Sequence, residues 1–181
     1  ASFKSNYGID KNSNLSDKEL TRLFKICFKE KIIYLDTSNR YNLKNFSKLN
    51  KNLKKFRIIY KINLNLNKVK TYNQIKKEVY SLLNNFLKKN KIKRLYCVML
   101  HSENLMLNKN KGRLFSVLKK IKDQKTSEKI GISGYNLENI INIIKKFNFD
   151  IIQFPYNLFD QRIADFKVLK LLKKKKIELH I

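Results

Sequence analysis

The chain has 181 residues, 43% of them hydrophobic, which is enough for one folded domain with a sizeable core. No apolar run reaches the roughly 18 residues that a membrane span needs, and no signal segment opens the sequence. We therefore expect a cytoplasmic protein without a membrane partner. The formal net charge of +27 is the property that first suggests a nucleic-acid partner.

The basic residues are almost all lysines. Arginine contributes six of the 41, and the chain is also rich in Asn, Ile, Phe and Tyr but has four Gly and one Pro. This composition is typical of genes in which codons drift toward A and T, since Lys, Asn, Ile, Phe and Tyr use such codons and Gly and Pro cannot. Because recognition of bases and phosphates favours the arginine fork, we interpret the lysines as solvated surface positions. We predict no specific nucleic-acid partner, although weak binding at low salt follows from the charge.

Two kinds of pattern alternate along the chain. Ser16-Asp17-Lys18-Glu19 has the form of a capping box and precedes an apolar stripe at helical spacing. In chain order, the predicted elements are helix 17–29, strand 31–36, a weaker helix 42–55, strand 56–62, helix 71–89, strand 94–101, helix 113–123, strand 129–133, a helix from 136, strand 149–157, helix 163–175 and strand 176–181.

This strict alternation predicts a parallel sheet with helices on its faces, because its strands are nearly continuous apolar runs. A doubly wound sheet and a (β/α)8 barrel both have this pattern. A glycine-rich phosphate loop after the first strand would favour the doubly wound sheet, and the sequence has none there. Cys27 and Cys97 lie in apolar runs and are predicted to be buried free thiols.

Polar residues follow three successive predicted strands. Asp36 and Tyr41 follow the first, Lys61 ends the next, and His101 ends the one after. In a parallel barrel these strand ends meet at one rim, where catalytic residues gather. A carboxylate near a buried strand needs a cation, and Lys61 is the expected partner of Asp36. No cluster of His, Cys and carboxylates has metal-ligand spacing, so no metal site is predicted.

Five motifs in register resemble those of the aldo-keto reductases. They are DTSNRY (36–41), YK (60–61), LH (100–101), GISGYN (131–136) and IQFPYNLFDQR (152–162). The resemblance extends over essentially the whole chain and implies a (β/α)8 barrel that reduces aldehydes or ketones with NADPH or NADH. Because such a barrel takes about 250 residues, we expect residues 1–181 to form a single incomplete domain with five to six of the eight strands. We expect no catalysis from these residues alone.

The resemblance also implies roles for individual residues. Tyr41 would be the general acid; a free tyrosine, with a pKa of about 10, donates poorly near neutrality unless a cation lowers that value. Lys61 would be this cation, with Asp36 holding it in place. His101 would orient the carbonyl substrate. The cofactor-binding residues implied by the resemblance are Asp36, Ser133 and Gln153.

Three positions differ from the family pattern. Asn42 stands where glycine is usual, Gly134 where asparagine follows the strand serine, and Tyr60 where a small residue precedes the lysine. These differences keep open an alternative function, a non-catalytic barrel that binds nucleotide as an interaction or regulatory subunit. The particular carbonyl substrate, the choice between NADPH and NADH, and the oligomeric state are not determined by the sequence.

Overall fold

A computed structural model describes residues 16–41, 54–66 and 68–181. Its helices and strands alternate as the sequence predicted. In chain order they are α1 (Asp17–Lys29), β1 (Tyr34–Ser38), β2 (Arg57–Ile62), α2 (Tyr72–Asn90), β3 (Leu95–Leu100), α3 (Lys111–Asp123), β4 (Ser127–Ser133), α4 (Leu137–Lys146), β5 (Ile151–Gln153), α5 (Phe166–Lys175) and β6 (Glu178–His180). Within these described ranges, no helix is both long and apolar enough to cross a membrane.

The six strands form one parallel sheet in sequential order, β1 to β6. β1 and β6 are the first and last strands of the sheet, yet their side chains meet, which shows that the sheet curls. The rings of Tyr34 and His180 lie 5.5 Å apart between centroids, and Gln153 of β5 donates a hydrogen bond to Asp36 of β1. The predicted partial (β/α)8 barrel is therefore confirmed as a parallel, curled sheet with alternating helices.

The apolar core lies between the outer face of the sheet and the helices. Strand side chains that point outward pack against the buried stripes of the helices, which include Leu83 on α2 and Leu118 on α3. A second, smaller cluster fills the concave face and contains Cys97 and Met99. Gly131 is needed there, because a Cβ at this position would lie 2.9 Å from Met99 Cε and 3.0 Å from the Cys97 sulfur.

Most predicted boundaries agree with the structure, including the capping box that begins α1 and the start of α2 at Thr71, where the structure shows a second capping box with Gln74. The first strand was placed too early. Lys31 has a left-handed backbone, with φ 56°, and β1 begins only at Tyr34. The apolar residues Ile32 and Ile33 were taken as strand, but they form the connection and are exposed.

Two later predictions were too long. The strand predicted over 149–157 is limited to Ile151–Gln153; beyond it Phe154 still donates to the His180 carbonyl, and Pro155 has no N–H to donate. The helix predicted over 163–175 begins at Phe166, because Asp165 is its cap and accepts the N–H groups of Lys167 and Val168. The helix predicted over 42–55 lies almost entirely outside the described residues.

The predicted free thiols are consistent with the structure. Both cysteines are free; Cys97 is fully buried in the concave face, and Cys27 is partly buried beside the main core. Burial raises the pKa of the Cys97 thiol well above its ordinary value. Cys97 is therefore a packing residue with little thiolate character near neutrality.

Charged and aromatic groups join several strands at the amino-terminal end of the concave face. The Tyr96 hydroxyl donates to Glu178 at 2.6 Å and accepts from Lys129 at 2.9 Å, and Lys129 also pairs with Glu178. Burial and the hydrogen bond to Glu178 raise the pKa of Tyr96 to about 12, so the phenol stays protonated. This cluster ties β3, β4 and β6 together and helps to fix the curvature of the sheet.

Lysine occupies the left-handed position at the ends of four helices. Lys31, Lys91, Lys125 and Lys176 have φ values between 51° and 58°. Glycine is the usual residue at such positions, since a Cβ costs about 1–2 kcal/mol in this conformation. The glycine-poor composition therefore has a direct structural consequence, because strain is retained at each of these helix ends.

We expect the substitutions Lys91→Gly and Lys176→Gly each to raise the free energy of unfolding by about 0.5–1 kcal/mol. The strain that is relieved exceeds the backbone entropy that glycine adds to the unfolded chain. Urea unfolding of the single variants and of the double variant measures the gain. Lys89→Gly, inside α2, is the matched control and should lower stability by about 1 kcal/mol; a loss at the left-handed positions would contradict the prediction.

Candidate active site

An ion pair stands on the concave face near the carboxyl ends of β1 and β2. Lys61 Nζ lies 2.9 Å from Asp36 Oδ2, and the Lys61 side chain is 11% exposed. The sequence pattern had suggested that Asp36 stands at the end of the first strand. In the structure Asp36 lies within β1, where its backbone is opposite Ile59 in the register. The expected pairing of Asp36 with Lys61 is present, and it arises because alternate residues of both strands point to the inside of the curl.

Gln153 bridges both members of this pair from the far side of the sheet. Its amide nitrogen donates to Asp36 at 3.0 Å, and its amide oxygen accepts from Lys61 at 3.2 Å. Sequence reasoning had placed Gln153 at the site but did not predict these contacts. They join β1, β2 and β5, three strands that only the curvature of the sheet brings together.

His101 follows β3 directly, and its backbone N–H continues the parallel pairing by donating to the Ile62 carbonyl. Its Nε2 atom is buried and has no hydrogen-bond partner among the described residues. Burial and the positive charges of Lys61 and Arg40 hold the pKa of the imidazole below its usual value. The ring is therefore neutral near pH 7, and its Nε2 is a buried polar atom that the described residues leave without a hydrogen bond.

Tyr41 lies in the loop after β1, and its ring contacts the ring of His101. The two rings pack edge to face, with centroids 6.3 Å apart and an interplanar angle of 74°. The loop after β1 is turned back by two hydrogen bonds to Ser38: the Tyr41 N–H donates to its carbonyl, and the Arg40 N–H donates to its hydroxyl. The loop thereby brings a phenol against the imidazole at the strand ends.

Ser133 and Gln153 are the last residues of β4 and β5 and are register partners. Both line a cavity of about 230 Å³, to which Lys61 also contributes, together with Tyr135 and Phe154. The cavity thus combines polar side chains from three strands with aromatic walls. This composition is common in small-molecule sites.

The three differences from the family pattern have different positions. Tyr60 points outward and stacks on Phe86, with ring centroids 4.1 Å apart, so it is a core residue away from the cavity. Burial raises the pKa of this phenol to about 12. Gly134 lines the cavity beside Ser133. Asn42 lies outside the described residues.

Sequence reasoning missed one acidic residue beside the site. Glu103 lies two residues after His101 and is buried, although glutamate is seldom buried without a partner. It follows Ser102, which caps the short 3-10 helix Glu103–Met106. This serine was the available signal, because an N-cap residue indicates an ordered turn after the strand. Within the described part of the chain, no group of His, Cys and carboxylates could hold a metal ion.

Comparisons with solved structures agree on the fold. An aldo-keto reductase from Bacillus halodurans in its holo form is 18% identical, with 91% of this chain and 56% of that one covered and a TM-score of 0.71. A Pseudomonas aeruginosa protein assigned to the aldo-keto reductases is 18% identical, with 98% and 68% covered and a TM-score of 0.74. A Brucella melitensis aldo/keto reductase is 17% identical, with 91% of this chain and 62% of that one covered and a TM-score of 0.63.

These similarities concern the fold, since identity is below 20% in each case. The chain spans 56 to 68% of the length of these three proteins. No family model and no curated protein matches the sequence. The structure confirms the resemblance to the aldo-keto reductases, first indicated by five motifs, at the level of the fold: this chain shares the fold of the matched part of these proteins.

Proposed function

We propose that the protein carrying this chain reduces an aldehyde or ketone to an alcohol with NADPH or NADH. The observation that supports this most is the group formed by Asp36, Lys61 and Gln153 at the carboxyl ends of parallel strands, with the unpartnered Nε2 of His101 close by. Such strand ends are where barrel enzymes place their chemistry.

Each of the four candidate catalytic residues has a separate role in the proposed reaction. Tyr41 protonates the substrate oxygen as the carbonyl is reduced, and Lys61 supplies the positive charge that favours loss of the phenolic proton. Asp36 holds Lys61 in position. His101 orients the same oxygen through its buried nitrogen, and because its pKa is lowered it does so as a neutral ring.

The nicotinamide end of the cofactor would be held by Ser133 and Gln153. The cavity fits this part of the molecule, because a hydroxyl and an amide face a space of about 230 Å³ lined partly by aromatic rings. The cofactor, when bound, supplies the hydride. We further propose that the described strands and helices belong to one barrel domain, that the protein is cytoplasmic, and that its substrate is a small carbonyl compound.

Titration with NADPH and NADH tests this function in the full protein that carries the chain. We expect saturable binding at 0.15 M salt, with a dissociation constant within the usual range of roughly 1 µM to 1 mM. Gln153→Leu should weaken binding about tenfold, because it removes a polar group from the cavity and a partner from Lys61.

Lys173→Gln, an exposed position on α5, is the matched control for the general attraction of an anionic cofactor to a basic protein. It should leave binding unchanged. Binding without turnover over a panel of aldehydes and ketones would favour the alternative, a non-catalytic nucleotide-binding barrel. Absence of binding to either nicotinamide cofactor would contradict both functions.

A further inference from the structure

The carboxylate of Glu103 is buried, with 6% of the residue exposed, and in the described part of the chain no cation pairs with it. Its Oε1 atom accepts the backbone N–H groups of Tyr135 and Asn136, at 3.3 and 3.0 Å. Its Oε2 atom is within 3.4 Å of the Ser102 hydroxyl. The residue therefore joins the turn after β3 to the loop between β4 and α4.

The two amides that Glu103 accepts stand at the beginning of α4, whose N-cap is Asn136. The first N–H groups of a helix have no partner inside the helix and carry partial positive charge. A buried carboxylate is tolerated here because these amides satisfy it. Because one oxygen accepts both hydrogen bonds, a shift of the loop away from Glu103 lengthens both of them.

Gly134 explains why the carboxylate can sit so close to this loop. A Cβ at position 134 would lie 2.8 Å from Glu103 Oε2 and 2.8 Å from Cδ1 of Ile140. On its other side, the Gly134 N–H donates to the Gln153 carbonyl at 3.1 Å. The loop is thus held between Glu103 and β5, with room at this position for a hydrogen atom only.

We propose that Glu103 and Gly134 form a matched pair that positions the β4–α4 loop of the candidate site. The loop follows Ser133 directly, and its Gly134 N–H donates to the backbone of Gln153. Ser133 and Gln153 are the two residues assigned above to the nicotinamide end of the cofactor. This inference rests on the proposed function for its catalytic consequence, but not for the contact itself. Glu103 acts through the loop, whereas Tyr41 and Lys61 belong to other elements. Its loss should therefore change cofactor recognition and leave the chemical step intact.

Hydrogen exchange in the full protein tests the contact directly. Glu103→Ala removes both carboxylate oxygens, and with them the acceptor of the two amides. We expect exchange at the Tyr135 and Asn136 amides to become about tenfold faster. Glu128→Ala is the control, since this glutamate is exposed on β4 and lies 3.7 Å from Arg94. Unchanged exchange in the Glu103 variant would overturn the proposal.

Steady-state kinetics with the nicotinamide cofactor test the consequence. Glu103→Ala should raise the cofactor KM about tenfold and leave kcat within about twofold, and Glu103→Gln, which keeps one acceptor oxygen, should restore part of the affinity. A fall in kcat at unchanged KM would overturn the positioning role. If exchange responds as expected but wild-type protein binds no nicotinamide cofactor, the proposed function fails while the loop contact stands.

A size exchange tests the pairing of the two residues. Gly134→Ala should raise the cofactor KM about tenfold, because its methyl group pushes the Glu103 carboxylate from the amides. Glu103→Ala removes one of the two groups that this methyl group would meet, and the other, Cδ1 of Ile140, is the end of a flexible side chain that can turn away. The double variant should therefore bind cofactor no more weakly than Glu103→Ala alone. Additive losses in the double variant would show that the two positions are independent.

Discussion

Replacing Tyr41 by phenylalanine is expected to lower kcat for carbonyl reduction by about 10²–10⁴-fold, the usual contribution of a positioned general acid. The substitution removes one hydroxyl and keeps the ring, so the edge-to-face packing on His101 is preserved. Cofactor binding should change by less than twofold, because the residues proposed to hold the nicotinamide end, Ser133 and Gln153, lie on β4 and β5. Single-turnover reduction with saturating cofactor measures the effect in the full protein.

Tyr72→Phe, at the first position of α2, is the matched control for the loss of a phenolic hydroxyl elsewhere. It should leave kcat unchanged. Turnover retained by the Tyr41 variant would refute its assignment as the proton donor. A large loss of cofactor affinity in that variant would instead show that the residue shapes the binding cavity.

Replacing Lys61 by methionine is expected to lower both activity and stability. The substitution leaves Asp36 without its ion-pair partner and removes a donor from Gln153. We expect a loss of roughly 2 kcal/mol in the free energy of unfolding, less than for a fully buried pair because Asp36 remains 28% exposed. Activity should fall about 10²-fold or more, since the substitution removes the cation that is proposed to favour loss of the Tyr41 proton.

A second substitution separates these two effects. Asp36→Asn in the Lys61→Met background removes the uncompensated carboxylate, so most of the lost stability should return while activity stays low. Urea unfolding and reduction assays on the four members of the cycle measure both quantities. Recovery of activity in the double variant would contradict the role of the Lys61 charge.

The pair of Lys122 and Asp150 provides a matched control for that experiment. It is also a salt bridge, at 2.6 Å, and its side chains are 39% and 26% exposed. Lys122 lies on α3 and Asp150 just before β5, at the end of the sheet opposite the candidate site. Lys122→Met should lower stability and leave reduction unchanged. An equal effect of both lysines on activity would mean that general destabilisation explains the result.

Much of the secondary structure follows from local pattern. The capping box at Ser16 predicts where α1 begins, because the signal consists of two residues three positions apart. The start of the first strand was predicted wrongly because the composition gives no local signal for this boundary. In this glycine-poor chain Lys31 turns the backbone, and nothing local distinguishes it from the other lysines.

The sequence by itself determined the order of parallel strands and helices, the family resemblance, and the pairing of Asp36 with Lys61 on neighbouring strands. These depend on periodicity and on the short distance between adjacent strands. The contact of Gln153 with Asp36 and the fit of Glu103 against Gly134 were decided by the tertiary structure. They depend on how far the sheet curls and how closely two loops approach, and both are set by packing of the whole core, which no single segment encodes.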